Sequence, residues 1–387
     1  MVIASPVVVI DAVRTPVGRR NGSLARVHPS DLLATVLAAL IDRTGIDPAA
    51  VGQVVGGCVG QVGAQASNVT RTAWLAAGLP LEVPATTVNV QCGSSQQAMT
   101  LAHGAVAGGL VDVAIACGVE AMSVVPMGST VPRDPDVGQP RRGRYAERYE
   151  VTTQFEGADR IAATWGIDRD ELDAYGMRSQ ERAAQAWAEG RFDGQIVPVA
   201  VGDATFDRDE CLRSTSLDAL AALRPNLPDG GGRHTAGTSS QISDGASALL
   251  IMTEARAEQL GMRPRARLVD SVLVGSDPEL MLTGPMPATR RLLERTGLGL
   301  GDIDLFEVNE AFASVVLAWQ RELGVDPERV NPNGGAIALG HPLGATGGVL
   351  LTKALYELER TGGALALVSM CCGGGLGTGT IIERSDV

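Results

Sequence analysis

The feature that most constrains the fold is an internal repeat of one apolar pattern at two places 252 residues apart. GIDPAAVGQVVGGC (45–58) aligns with GLGLGDIDLFEVNE (297–310), so that Val51 matches Ile303. The same offset places the buried run VAIACG on LALVSM, and it brings Cys92 beside GHPLGATG. Two halves built on one plan predict a pseudo-twofold pair of α/β units that face a shared site.

Within each half, apolar runs alternate with helical patterns, which is typical of parallel α/β layering. VVVIDAVRTP predicts a buried strand, and Ser30 is expected to cap a helix that ends near Arg43. Between about Met122 and His234 the chain becomes rich in Pro, Gly and charge, which indicates an inserted lid domain. We therefore predict three units, which are residues 1–121 with 235–265, residues 122–234, and residues 266–387.

Composition excludes several classes of function. The formal net charge of -12, the pI near 4.9 and the few aromatic residues disfavour binding to DNA or RNA. No apolar run approaches the roughly 20 residues that cross a bilayer, and the start lacks a basic leader, so we expect no membrane span and a cytoplasmic protein. The six cysteines form no C-x-x-C pair and no zinc pattern, which predicts free thiols and no metal site.

One of these cysteines stands where a reactive thiol would be placed. In VNVQCGSSQQAM, a β-branched run delivers Cys92 to a small polar turn, after which residues 96–106 can form a helix. The first amides of a helix lack partners and carry the positive end of the macrodipole, so we expect a thiolate there to be stabilised and the thiol pKa to fall. The alternative is a buried cysteine that acts as a small apolar residue.

Three further segments combine polar or reactive residues with buried strands. In FEVNEAFA, Asn309 and Glu310 would cost about 1 to 3 kcal/mol if buried without partners; helix capping is the alternative. His341 lies in a loop dense with glycine. In VSMCCGGGLGTGTIIER, a strand ends at Cys371 and Cys372, and the glycines expose N–H groups suited to an oxyanion hole. A strand follows these glycines, which excludes a Rossmann nucleotide site, since that motif opens a helix.

Taken in order, QCGSS, NEAFA, GHPLGATG and CCGGGLG closely resemble the thiolase family. The resemblance covers nearly the whole chain, including RAAQAWAEGRFD and HTAGTSSQISDGASA in the inserted region. It implies a layered αβαβα fold of two duplicated α/β halves with an inserted lid. Details such as NGGAIALGHP and GTIIER look most like actinobacterial thiolases of lipid and steroid side-chain breakdown.

The resemblance also implies a role for each motif residue. Cys92 would attack the 3-keto carbon of a 3-oxoacyl-CoA after His341 takes its proton. Cys371, the first cysteine of the family's C-x-G-G-G, would protonate the departing enolate. Asn309 would hold a water that stabilises this enolate together with His341. The backbone N–H groups of Cys92 and Gly373 would bind the acyl oxyanion.

Coenzyme A would be a co-substrate, and no permanently bound cofactor is implied. Ser240 occupies the position of a pantetheine-contacting serine, and Arg213 falls near a phosphate or adenine contact. Family members form homodimers or homotetramers, and some degradative members associate with a hydratase/dehydrogenase partner.

The chain departs from the family pattern at four positions. Ser95 replaces a glycine and adds bulk near the reaction centre, and Ala219 stands where biosynthetic relatives carry a CoA-contacting serine. Thr153 and Gln154 replace a His-Met pair that narrows the acyl pocket of acetoacetyl-specific members. This implies a roomier pocket, so we predict a medium, long or bulky 3-oxoacyl chain.

Three alternatives follow from the same motifs. A biosynthetic acetoacetyl-CoA thiolase would differ in substrate profile alone. A ketoacyl-synthase-like condensing enzyme would need a second His or Asn where Cys371 stands. A non-catalytic lipid carrier or scaffold of this fold would be expected to lose Cys92, His341 or Cys371, and all three are present.

Overall fold

A computed structural model describes residues 6–132, 134–227 and 230–385, and the elements below are those of this described part. Its strands are β1 Val7–Arg14, β2 Gly18–Arg19, β3 Gln53–Gly57, β4 Ala85–Val88, β5 Val113–Ala121, β6 Val199–Val201, β7 Ala204–Phe206, β8 Ser243–Thr253, β9 Ala266–Gly275, β10 Leu305–Val308, β11 Leu365–Cys372 and β12 Leu376–Arg384. Its α-helices are α1 Pro29–Thr44, α2 Val69–Ala76, α3 Ser94–Ala107, α4 Gln154–Thr164, α5 Arg169–Ala188, α6 Leu217–Ala221, α7 Glu254–Gln259, α8 Pro285–Thr296, α9 Ala313–Leu323, α10 Ala336–Leu339 and α11 Thr346–Thr361.

The main sheet shows the predicted duplication directly. Its strand order is β10-β11-β12-β9-β1-β8-β5-β3-β4. Read outward from the centre, β1-β8-β5-β3 and β9-β12-β11-β10 follow one plan, in which the last two strands are parallel and the other neighbours antiparallel. The halves join where Val8 and Val9 of β1 pair with β9. The expectation of parallel layering was therefore only partly right, because β8 and β12 run antiparallel to the strands on both sides of them.

The helices form the predicted αβαβα layers. Helices α3 and α11 contact each other and strands of both halves, so they make the central layer. On the outside, α1 covers strands of the first half, with α2 packed on α1, and α8 covers strands of the second. Three apolar cores fill the spaces between these layers. The first turns of α3 and α11 lie side by side, since a side chain at Gly347 would come within 2.4 Å of the backbone nitrogen of Gln96.

The inserted region is attached to the first half by a buried ion pair. Arg14, at the end of β1, donates two hydrogen bonds to Asp209, at 2.7 and 3.0 Å. The backbone of Arg14 also pairs with Gln195 and Val197. These contacts fix the segment that contains Arg213. The unit limits 121/122, 234/235 and 265/266 stay a prediction, and residues 1–5 and 386–387 of the outer units lie outside the described residues.

One helix start differs from its prediction. Helix α1 begins at Pro29, and its N-cap is His28, whose ring nitrogen accepts the backbone N–H of Ser30. Ser30 itself is buried in the first turn. Proline at the first helical position favours this earlier start, because its missing N–H is one that a helix leaves without a partner in any case.

Candidate active site

Cys92 lies in the turn between β4 and α3, directly before the helix N-cap Gly93. The turn is closed by Ser94, whose hydroxyl donates to the Gln91 carbonyl at 2.6 Å and accepts the Val90 N–H at 3.0 Å. Gln91 adopts a left-handed conformation, with a φ of 50°. A side chain at Gly93 would lie 2.5 Å from the sulfur of Cys372, so glycine is required there. The turn therefore presents Cys92 toward the second half of the molecule.

Burial, not the helix N-terminus, dominates the acidity of this thiol. It raises the pKa of Cys92 to about 11, and the negative charge of Glu120 acts in the same direction. The backbone N–H groups of Gly373 and of Cys92 itself oppose this rise. The expectation of a lowered pKa was wrong, because the loss of water around a buried thiolate costs more than the helix N-terminus returns. Cys92 is a neutral thiol at neutral pH and needs a base.

His341 has the properties of such a base. It is buried in the loop between α10 and α11, and its backbone N–H reaches the Gln241 carbonyl and the Ser243 hydroxyl. Its Nδ1 lies 2.7 Å from Oγ1 of Thr346. Burial lowers the pKa of His341 to about 4, so the imidazole is neutral at physiological pH.

Asn309 meets this histidine at the end of β10. Its Nδ2 lies 3.3 Å from Nε2 of His341, and its buried Oδ1 has no hydrogen-bond partner among the described residues. The capping alternative is not observed, since the N-cap of α9 is Phe312. Glu310 is instead a buried carboxylate that accepts the hydroxyls of Tyr175 and Ser179, at 2.9 and 2.6 Å.

Cys371 and Cys372 end β11, and both are fully buried. Burial and then the charge of a Cys92 thiolate raise the pKa of Cys371 well above its usual range. The same two causes raise the pKa of Cys372 to about 12. The structure thus brings both thiols close to Cys92. Cys372 lies against Thr378, with its sulfur 4.0 Å from the hydroxyl.

The two residues expected to contact CoA lie on the inserted side of this cluster. The backbone N–H of Ser240 donates to the Ala311 carbonyl at 2.9 Å, which places Ser240 beside the NEAFA segment. Arg213 bonds to Gln180 of α5 and to the Ala236 carbonyl. It lines a groove of about 300 Å³ along α5. Arg213 is therefore exposed at this groove and is not part of the buried cluster.

Two functional candidates were missed by the sequence reading. Thr346 contacts His341, as described above. Glu120, on β5, accepts the backbone N–H groups of Val59, Gly60 and Gly344, the last in the loop of His341. A carboxylate inside the apolar run DVAIACGVEAM was the available signal, because a buried charge needs several donors.

Comparisons with known proteins agree with this geometry. Residues 7–255 match the family model of the thiolase N-terminal domain, and residues 262–384 match that of the thiolase C-terminal domain. The chain belongs to the thiolase family. The expected family, its class of acyltransferase and its layered fold are confirmed, and CoA is a substrate of such enzymes.

Relatives of this thiolase cover almost its full length. A steroid 3-ketoacyl-CoA thiolase of Mycobacterium tuberculosis is 49% identical over 382 residues, covering 97% of this chain and 93% of that protein. A beta-ketoadipyl-CoA thiolase of Pseudomonas aeruginosa is 44% identical, covering 98% and 99%. The crystal structure of an acetyl-CoA acetyltransferase of Bacillus anthracis has a TM-score of 0.91 at 36% identity, covering 99% of this chain and 100% of that one.

Three of the four departures from the family pattern make identifiable contacts, and nothing in the structure explains Ala219. Ser95 is buried, and its hydroxyl accepts the Gly348 N–H at 3.0 Å, so it ties α3 to the first turn of α11. Thr153 caps α4 in a capping box with Glu156. Gln154 contacts the sulfur of Met127 at 3.5 Å.

Among the described residues, no helix is long and apolar enough to span a membrane, and no acidic, His or Cys cluster suits a metal ion.

Proposed function

We propose that this thiolase cleaves a 3-oxoacyl-CoA with CoA to acetyl-CoA and a shortened acyl-CoA, through an acyl group on Cys92. The observation that supports the proposal is contact between separate, buried chain segments, since Glu120 accepts the N–H of Gly344 in the loop of His341 and its charge also acts on Cys92. The Gly373 N–H points to the sulfur of Cys92, and the charge of Cys92 acts on Cys371. Asn309 and His341 form a buried pair at the carboxyl end of β10. These are the nucleophile, acid and base that the reaction needs.

In the first half-reaction, Nε2 of His341 takes the proton of the Cys92 thiol as the sulfur attacks the 3-keto carbon. The bond between carbons 2 and 3 of the substrate then breaks. The bonding electrons stay with the departing acetyl-CoA, which leaves as an enolate and takes the proton of Cys371. The products of this step are acetyl-CoA, an acyl thioester on Cys92, a Cys371 thiolate and a protonated His341.

The second half-reaction restores the enzyme. The Cys371 thiolate takes the thiol proton of CoA, and the CoA sulfur attacks the acyl carbon on Cys92. The thioester bond to Cys92 breaks, and protonated His341 returns a proton to its sulfur. All protons taken in the first step are therefore returned, and no other reactant is required.

Two oxyanions need stabilisation during this cycle. The proposal assigns the oxygen of the acyl group to the backbone N–H groups of Cys92 and Gly373, which both act on the Cys92 sulfur. Asn309, with His341 and a water, would stabilise the oxygen of the enolate. One such donor is typically worth about 2.7 to 4 kcal/mol in the transition state.

Coenzyme A is proposed to enter over the inserted region. Ser240 would contact the pantetheine arm beside the NEAFA segment. The groove along α5 is open to solvent at Arg213, which would meet a phosphate or the adenine. The guanidinium is suited to this because its planar fork binds phosphate oxygens in pairs.

The acyl chain is proposed to be medium, long or bulky, as in lipid or steroid side-chain breakdown. The side chain of Thr153 caps α4 by accepting the N–H of Glu156. In place of the family's histidine, this smaller side chain would leave more room for the acyl chain. The 49%-identical relative of Mycobacterium tuberculosis is a steroid 3-ketoacyl-CoA thiolase, which favours a wide acyl pocket here.

The functional unit is proposed to be a homodimer or a pair of such dimers. β4 is an edge strand of the main sheet, and α3 beside it exposes Leu101, which is 45% exposed. An edge strand next to exposed apolar surface favours pairing with a second copy. A hydratase/dehydrogenase partner and the cytoplasmic location stay predictions.

The test is CoA-dependent cleavage of a panel of 3-oxoacyl-CoAs with short, long and sterol-derived chains. We expect kcat/KM to rise with chain size and Cys92→Ala to abolish both cleavage and acyl-enzyme formation, followed by intact-protein mass. A preference for acetoacetyl-CoA would support the biosynthetic alternative. No turnover of any substrate would support the non-catalytic carrier.

A further inference from the structure

Asn309 stands between residues that fasten the loop leading to His341. The side chain of Asn331 in this loop bonds to both the N–H and the carbonyl of Val308, at 2.9 and 2.8 Å. The carboxylate of Glu310 accepts a backbone N–H of α10 at 3.2 Å. Two neighbours of Asn309 thus hold the loop against the end of β10.

A third tether is unusual because it carries two full charges. Lys353 is the only lysine of the chain and is 1% exposed in the middle of α11. Its ammonium donates to Glu307 of β10 at 3.0 Å and to the carbonyl of Gly334 at 2.7 Å. Gly334 is a left-handed bend of the loop, with a φ of 68°. Lys353 therefore joins the strand of Asn309 to the loop of His341.

Stability does not account for this pair. Both side chains are removed from water, and the second carboxylate oxygen of Glu307 is buried without a hydrogen-bond partner among the described residues. Desolvation of two ions is costly, and replacing a buried ion pair by apolar residues is often neutral or stabilising. Burial also raises the pKa of Glu307 to about 7 against the attraction of Lys353. A pair with these costs needs another reason to be present.

We propose that Lys353 and Glu307 are positioning residues, which set the placement of His341 against Asn309 by fixing the loop at Gly334. The inference rests on the proposed thiolase function. Its physical basis is that Glu307 and the Gly334 carbonyl, which Lys353 joins, each lie only a few residues along the chain from a reacting group. Glu307 lies two residues before Asn309 on the same strand, and Gly334 lies seven residues before His341, with α10 between them. Without Lys353, the Gly334 carbonyl loses its donor and the loop can shift.

The experiment combines Lys353→Met with Glu307→Leu, which removes both charges together. We expect a melting temperature equal to or above that of the wild type, a kcat lower by roughly 10- to 100-fold, and a KM for CoA within about twofold. The rate of alkylation of Cys92 by iodoacetamide, followed by peptide mass, should fall with kcat, since His341 supplies the base. Thr352→Val is the matched control, because this neighbour is equally buried and bonds only within α11.

A second variant keeps the test decisive if the double variant does not fold. Glu307→Gln retains an acceptor for Lys353, so we expect a kcat within about threefold of the wild type. Lys353→Met alone should lower kcat as the double variant does, because the Gly334 carbonyl loses its donor in both. An equal loss in Glu307→Gln would overturn the proposal, as would a folded double variant with wild-type kcat and alkylation rate. Failure of the wild type to cleave any 3-oxoacyl-CoA would refute the proposed function instead, and the alkylation rates would still decide the positioning role.

Discussion

Thr346 determines which nitrogen of His341 carries the proton. Its hydroxyl donates its single hydrogen to the Pro342 carbonyl at 2.9 Å and must therefore accept from Nδ1 of His341 at 2.7 Å. The proton of the neutral ring is thus placed on Nδ1, and the lone pair of Nε2 faces Asn309. A histidine in this tautomer keeps Nε2 unprotonated, and this is the nitrogen that can act as the base.

Thr346→Val should therefore impair the base while leaving the fold intact. We expect kcat to fall about tenfold or more, because the hydrogen bond that selects the tautomer is lost. The KM for CoA should change little. Steady-state kinetics of Thr346→Val beside Thr352→Val checks this, and equal activity of the two variants would contradict the assignment.

The two adjacent cysteines should differ sharply in importance. Cys371→Ala is expected to lower kcat by roughly 100- to 10,000-fold, the usual range for a lost general acid/base. Cys372→Ala should retain most activity, because the proposed proton transfers do not involve its sulfur, which lies against Thr378. The measurement is steady-state cleavage together with acyl-enzyme mass. The opposite ranking of these variants would transfer the acid/base role to Cys372.

Much of this architecture could be read from the sequence, since the repeat lies in the spacing of apolar runs. Adding 252 to Ser94, the first residue of α3, gives Thr346, the first residue of α11. The same shift carries β5 onto β11. Such spacing survives because each half must bury equivalent faces against the central helices. Strand direction is not encoded in this way, which is why the antiparallel strands were missed.

The candidate site residues could be named from the sequence, and their assignment stays a prediction, but their electrostatics could not be predicted. Motif order identified Cys92, His341 and Cys371, but the sign of the pKa change of Cys92 depends on burial by the second half of the chain. That burial exists only in the folded chain, where even the Gly373 N–H that opposes it comes from far along the sequence. Thr346 was missed for a similar reason, because its role depends on which carbonyl its hydroxyl reaches.

Acid should destabilise this thiolase through its buried histidines. Burial lowers the pKa of His234 to about 4 from an ordinary value of 6.5, so the unfolded chain binds more protons between these values. The stability from neutral His234 is full above about pH 6.5 and is lost as the pH falls toward 4, by up to roughly 3 kcal/mol. His234→Gln should be less stable at pH 7.5 but should lose less on acidification.

Urea unfolding at pH 7.5, 6 and 5 tests this difference. The raised pKa of Glu307 makes stability change with pH in the opposite direction, but it does so equally in both proteins. The difference between the variant and the wild type therefore reports on His234. Parallel losses of unfolding free energy in the two proteins would show that folding does not lower the pKa of His234.

The exposed face of α3 should hold a second copy of the chain. Leu101, Gly104 and Gly108 recur at helical spacing on one side of α3, all of them exposed, next to the edge strand β4. Leu101→Arg would place a charge in such an interface, where an unpaired ion is costly. We expect sedimentation equilibrium at micromolar concentration to show monomers for Leu101→Arg and dimers or tetramers for the wild type.

The control is Leu75→Arg on α2, which changes a leucine that is 40% exposed and should leave the assembly intact. An assembly that withstands Leu101→Arg would place the interface elsewhere.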